Sequence, residues 1–485
     1  MEPAQLKRKS SWIAPSPQGQ HRLVERGHRE PEIGHIHAEQ LVPDHEAKGY
    51  IVGVVGRYAA TTDGMHLVTD RHRSAAAGWV RRYLRPDDPV ARALTWATMA
   101  SSLSKGVFFS VSVLFFTHVA GFAATTVGLG LTIAGAVAVA ASLAAGYLAR
   151  VVGARRVLIA TTAGQGLALV AYLLVHTPAA FVVVACAAVG QQAMQRTALT
   201  TMIAESFTGP DRVEMRARLR VVTNAFIGVG TALAAVALVL DTKLAYLLAM
   251  LTTGALLFVS AFLLRRMDCG AELTATDGSR TAGVRQSPLR DRTYLAITGL
   301  YAVMSMQVGM LTVGVPLWVA GSTKAPPATI AALLALNTVI VSLLQIWAAR
   351  GAKTIRSAGR AVAGAGTLLA LACGLYALSA HGAITVVVVM LTLATVAHSL
   401  AEILSEAGSW TLAFELADPA NVGAYQGVSQ TGAALGSMLA PLVVTATALE
   451  HGWPGWILLG VLFLLAGSLT MALVRRQVDG SLLSA

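Results

Sequence analysis

The chain has 485 residues, 55% of them hydrophobic and 13% charged, with a net charge of +12 and a mean hydropathy of +0.62. A soluble globular core cannot hide that much apolar surface, so lipid must be the solvent for most of the chain. Cys186, Cys269 and Cys373 are too far apart for a disulfide framework or zinc spacing. The positive charge lies in loops that alternate with apolar runs, which is a topology signal and not the footprint of a nucleic-acid partner.

Residues 1–88 are a different material. Residues 1–64 hold eight basic and eight acidic residues with no sustained helical or strand period, so a disordered cytoplasmic tail is expected. No apolar stretch follows the basic start, so no signal peptide is read there. His21, His28, His35, His37 and His45 have no acid or cysteine at ligand spacing, and a solvated tail is the expectation over a metal site. Met65 is an alternative start. Trp79, Arg81, Arg82, Tyr83 and Arg85 read as an interfacial anchor.

Twelve spans are expected, at about 92–117, 124–149, 155–176, 180–204, 218–240, 243–265, 293–320, 328–349, 360–380, 384–404, 422–446 and 453–475. The even-to-odd loops carry the bases: Arg150, Arg155 and Arg156; Arg212, Arg216, Arg218 and Arg220; the stretch from Arg265 to Arg292; and Arg350, Lys353, Arg356 and Arg360. By the positive-inside rule both termini are cytoplasmic. The connection after the tenth span is acidic instead, with Glu406, Glu415 and Asp418. Residues 266–292 read as a flexible linker. They separate a six-helix bundle at 89–265 from a second at 293–476, with a short cytoplasmic tail at 477–485.

The turn Gly146-Tyr-Leu-Ala-Arg150-Val-Val-Gly153-Ala-Arg155-Arg156 joins the second and third spans. Its glycines permit a tight hairpin and its arginines hold it at an anionic surface. This motif resembles the loop signature of the major facilitator superfamily, which usually reads Gly-x-Leu-x-Asp-Arg-x-Gly-x-Arg-Arg. The chain departs from it at Arg150, where the family has an acid, and at Val151, where it has a base. Weaker echoes at 219–224, 407–417 and 423–427 resemble a group of actinobacterial members with poorly defined substrates. The resemblance implies an all-α membrane protein of twelve helices in two six-helix bundles, acting as a monomer in the plasma membrane. The family's acid faces the start of the eleventh helix, so Arg150 is expected to pair instead with Glu415 or Asp418.

Ionisable residues inside spans are costly and therefore informative. Lys105 lies roughly 20 Å into the first span at about 1.5 Å per residue, and is read either as an anion contact or as a structural counter-charge. His398, Glu402 and Glu406 share one helix face at i, i+4 and i+8, as a proton relay requires. The alternative for Glu406 is an interfacial cluster. Metal ligation there lacks a third ligand. Gln191, Gln192, Gln195 and Arg196 lie in the fourth span, and Arg196 is expected to oppose Glu402 across the centre or to be held by Glu205. A basic residue in the fourth helix is common in family members that export drugs. Asn224, Gln307, Asn337 and Gln345 are neutral cavity candidates. The glycines at 228, 230, 423, 427, 432 and 436 are expected at the seam between the bundles. The fifth span lacks the Gly-Pro pair of many drug/proton antiporters.

No nucleotide-binding loop, nucleophile-base pair or cofactor motif is present. The expected function is secondary active transport of a small organic solute by alternating access, coupled to protons and directed outward. A uniporter or importer of a small metabolite is the alternative. A transport-silent sensor or interaction protein is a reading of another class.

Overall fold

The computed structural model describes residues 86, 88–267, 287–326 and 328–483. The readings of the tail, the interfacial anchor, Met65 and the body of the central linker lie outside the described residues.

Twelve helices follow one another, and no strand occurs among the described residues. They are α1 (Pro89–Leu114, continued by a π turn at Phe115–Val119), α2 (Ala124–Val152), α3 (Ala154–Ala171, ending in a 3-10 turn at Tyr172–Leu174), α4 (Pro178–Ser206), α5 (Pro210–Leu240) and α6 (Lys243–Arg265). The second six are α7 (Arg292–Ser322), α8 (Ala328–Gly351), α9 (Ile355–Leu378), α10 (Ile384–Glu415), α11 (Val422–Val444, continued by a π turn at Thr445–Leu449) and α12 (Trp453–Leu483). Eleven of the described helices are long and apolar enough to cross a membrane. The first helix, α1, packs along α5 and α6.

The helix starts carry local signals. Asp88 accepts from the Ala91 amide at 2.6 Å, Asp291 from the Tyr294 amide at 2.9 Å, and Thr354 forms a reciprocal cap with Ser357. Pro89, Pro178 and Pro210 open helices where no amide partner is needed. Between α2 and α3 the chain reverses on Gly153 alone, at φ +94°, which a residue with a Cβ rarely adopts. Arg155 is not simply a surface base. Its Nη2 donates to the carbonyls of Arg265 (2.9 Å) and Met267 (2.6 Å), closing the C-terminal end of α6.

Three helices run eight residues or more past the expected spans. The fifth, expected at 218–240, begins at Pro210; the tenth, expected at 384–404, continues to Glu415; the twelfth, expected at 453–475, continues to Leu483 and takes up most of the short tail expected at 477–485. Hydropathy falls where charge begins, but backbone hydrogen bonding does not stop there. Charged side chains of the extra turns meet neighbouring helices, Glu214 with Arg350 and Asp479 with Arg356.

Helices α1–α6 pack among themselves, as do α7–α12, and the halves touch along two seams, α11 with α2 and α4, and α5 with α8 and α10. One apolar core lies within the first half, around Phe116, Tyr172, Phe181 and Tyr246. Another lies within the second, around Trp318, Tyr376, Trp456 and Phe463. A third mixes both halves, with Ala149, Val157 and Met202 beside Ile346, Trp410 and Phe414. These residues sit toward the ends of their helices that carry the basic loops. The halves are therefore sealed together at that end. Large apolar side chains such as Val183, Leu240, Leu343 and Leu442 are left exposed on helix outsides, as surfaces solvated by lipid are.

The glycine expectation is corrected in part. Gly146 does lie against the start of α11: an added Cβ would fall 2.4 Å from the Gly423 carbonyl oxygen and 2.8 Å from Gly427 Cα. Gly230 instead packs on Gly106 of α1 in its own half, Gly432 and Gly436 pack on α7, and Gly228 has no close neighbour. Only the Gly146, Gly423 and Gly427 group belongs to the seam between halves.

Candidate functional site

At the sealed end, α5 and α10 bring charges together. Residues 216 and 220 are one turn apart on α5, and residues 402, 406 and 410 descend one face of α10. Arg220 spans both glutamates: Nη2 pairs with Glu402 Oε1, and Nη1 lies 3.2 Å from Glu406 Oε2. The second Glu402 oxygen accepts from Asn337 Nδ2 on α8 at 2.9 Å, and the same amide contacts Ser399 Oγ at 3.1 Å. Both oxygens of Glu402 are thus engaged, and its side chain is only 10% exposed. Below it, the Arg216 guanidinium lies 4.6 Å from the Trp410 ring centroid and Arg220 lies 6.0 Å from it. Arg216 keeps a buried Nη1 with no hydrogen-bond partner. A second pair, Arg350 Nη2 to Glu214 Oε1 at 2.7 Å, closes the rim of the α5/α8 seam.

The expected acids and Asn337 therefore meet, but their partner is Arg220 and not Arg196. Arg216 and Arg220 are not among the expected site residues, because the sequence reads them as loop residues that set topology, and Trp410 enters there only within the resemblance at 407–417. The available signal was the spacing of Arg216, Arg220 and Asn224, each one helical turn apart, which matches the stripe on span ten. Asn224 continues that face, half-buried.

His398 is separated from the cluster. It is fully buried, packs edge-on to Tyr376 with centroids 6.4 Å apart, and lies beside the Gln307 backbone. Gln307 is buried in the irregular middle of α7 with Oε1 unpaired, and Gln345 is fully buried with both amide atoms unpaired. Gln195 donates to Thr162 Oγ1 at 2.7 Å and ties α4 to α3.

Lys105 and Arg196 form a second group, midway along α1 and α4. Lys105 is half-buried, Arg196 is exposed, and Lys105 feels the charge of Arg196. Arg196 also lies within electrostatic range of Tyr301 on α7 of the other half. Neither cation has an ion pair or hydrogen bond among the described residues.

At the signature turn, Gly153 lies between α2 and α3, and Arg155 and Arg156 lie in the first turn of α3, with Arg156 exposed. The guanidinium of Arg150 stacks on Tyr147 of its own helix, 5.7 Å from the ring centroid. Asp418 Oδ1 accepts from the Ala420 amide at 2.9 Å, and Glu415 is exposed. No ion pair among the described residues joins Arg150 to either acid, although the backbone of Arg150 adjoins Gly423.

Two six-helix halves meeting around membrane-buried charges define a multi-pass transporter fold. The sequence matches the Major Facilitator Superfamily over residues 94–441, and the chain belongs to that family. It is a membrane transport protein and not an enzyme. Two solved structures are similar. One is the human organic anion transporter MFSD10 (TETRAN), at 16% identity and a TM-score of 0.58, covering 79% of this chain and 99% of that one. The other is a bacterial homologue of the iron transporter ferroportin in an outward-facing state, at 15% identity and a TM-score of 0.61, covering 80% and 99%. No curated protein sequence matches.

Proposed function

We propose that the protein is a proton-coupled secondary transporter that exports a small organic solute by alternating access, with Glu402 as the group whose protonation drives the change of state. The observation that carries this reading is the Arg220 bridge to Glu402 and Glu406, which ties the two halves at their sealed end. While both carboxylates are ionised, Arg220 holds α5 to α10. Protonating Glu402 removes the stronger anchor, leaves Asn337 able to hydrogen-bond the neutral acid, and lets that end part. Return of the proton to water restores the bridge. Buried ion pairs are poor stabilisers but good switches, because the desolvated charges tolerate only one arrangement.

The same reading places the sealed end at the cytoplasm of a plasma-membrane monomer, with both termini there, since the basic loops gather at that end. The halves then rock as the bodies 89–265 and 293–476 about the central linker. It also keeps Arg150 as a latch residue, pairing with Glu415 or Asp418 in a state other than this one.

Inverted vesicles loaded with an internal-pH dye test the reading when cationic, neutral and anionic amphiphiles are added in turn. Wild type should release protons in a compound-dependent way, and Glu402→Gln should lose that release by more than tenfold while still reaching the membrane. If labelled solute equilibrates without proton movement in wild type, a uniporter replaces the antiporter.

A further inference from the structure

Serines and threonines inside these helices have a ready outlet for the hydroxyl proton, the carbonyl one turn back. Thr470 donates to Ala466 at 2.8 Å, Thr411 to Ala407 at 3.1 Å and Ser399 to Thr395 at 2.7 Å. Thr298 on α7 and Ser409 on α10 do not. They are only 9% and 6% exposed, and neither makes a hydrogen bond among the described residues. Both line one cavity of about 10 Å³ inside the second half, about the space that one water needs. Tyr301 and Ser429 line it too, against apolar walls that include Val362 and Leu412.

A buried hydroxyl left without a partner is destabilising, and polar cavities of this size hold water for that reason. We propose that the cavity is a binding site for one ordered water molecule, bound by the hydroxyls of Thr298 and Ser409 with Tyr301 and Ser429 as its remaining partners. Its place gives it a role. Ser409 lies about one turn below Glu406 and two below Glu402, on the helix that meets α5. Tyr294, which also lines the cavity, donates to the Tyr425 carbonyl of α11 at 2.8 Å. The start of α11 bears Gly423 and Gly427, which meet Gly146 of the first half. The water therefore completes a polar joint between the helix at one seam and the helix at the other, and the two move together.

The site stands whether or not protons drive transport. Purified full-length protein in detergent tests it by X-ray hydroxyl-radical labelling, in which a deeply buried side chain is oxidised only where a water touches it. Leu412 should be oxidised about tenfold faster than Leu369, which is as deeply buried in the same core and does not line the cavity. Thr298→Val keeps the shape and removes the donor, so it should lower the melting temperature by about 2 °C, the shift that one hydrogen bond gives in a long chain. Ser409→Ala should act in the same direction. The double variant should lose less than the sum, because both hydroxyls serve one water, and its Leu412 labelling should fall several-fold.

Labelling of Leu412 at the rate of Leu369 overturns the proposal. So does a Thr298→Val protein that melts at or above wild type, which a dry cavity predicts, since an apolar group of the same shape then replaces an unpaired hydroxyl. Additive losses, or undiminished labelling in the double variant, overturn it as well, because Thr298 and Ser409 would then not be what holds the water.

Discussion

The two charge groups of this protein differ in one respect that separates their roles. At the sealed end, Arg220, Glu402, Glu406 and Asn337 satisfy one another across three helices. In the middle of the first half, Lys105 and Arg196 satisfy nothing among the described residues. A closed network fixes a conformation, and its energy is realised only in that conformation. Burial of charge alone therefore does not define a role; the completeness of its pairing is what separates the two groups.

The sharpest way to break the contrast is to remove Arg220. Arg220→Ala leaves Glu402 and Glu406 facing each other with little water, and should cost about 3–5 kcal/mol, read as a lowered melting temperature. Replacing Arg220, Glu402 and Glu406 together with methionine should recover most of that loss, while abolishing coupled proton release. If the single variant melts like wild type, the network is not what holds the halves together.

A smaller effect is expected from the backbone seam beside it. Gly146→Val pushes a side chain into the Gly423 carbonyl and should cost about 1–3 kcal/mol of packing in the sealed state. A cysteine at Val422, partly buried in the core that mixes the halves, should then react faster with a water-soluble maleimide. Unchanged reactivity would mean that the seam relaxes without opening.

The smallest effect belongs to the rim. Arg350 and Glu214 are 44% and 31% exposed, so Arg350→Ala should change stability by less than about 1 kcal/mol. The exchange Arg350→Glu with Glu214→Arg should restore whatever transport rate the single change lowers. A rim variant as damaging as Arg220→Ala would erase the distinction between sealing charges and peripheral ones.

Much of this architecture is legible along the chain. Span count and order follow from runs of apolar residues measured against bilayer thickness, which is a local property. The single-residue reversal at Gly153 follows from a glycine placed between two such runs. Glu402 and Asn337 are legible as cavity candidates because polar residues inside a span are expensive wherever they point. His398 shows the limit of that argument. Its spacing places it on the face of Glu402, yet the ring turns into the packed core beside Tyr376. Period assigns a residue to a face of its helix, but neighbouring helices decide which space that face meets.

The amino-acid sequence by itself determined an all-α, multi-pass membrane transporter, because hydropathy and helical hydrogen bonding act within single segments. Only the tertiary structure decided which charges are partners. Arg220 and Glu402 are 182 residues apart, and the arginine lies where hydropathy marks the edge of a span. Arg212, two turns earlier on the same helix face, donates instead to the Phe207 carbonyl. Pairing across a bundle depends on helix rotation and lateral order, and those are set by how twelve surfaces pack at once.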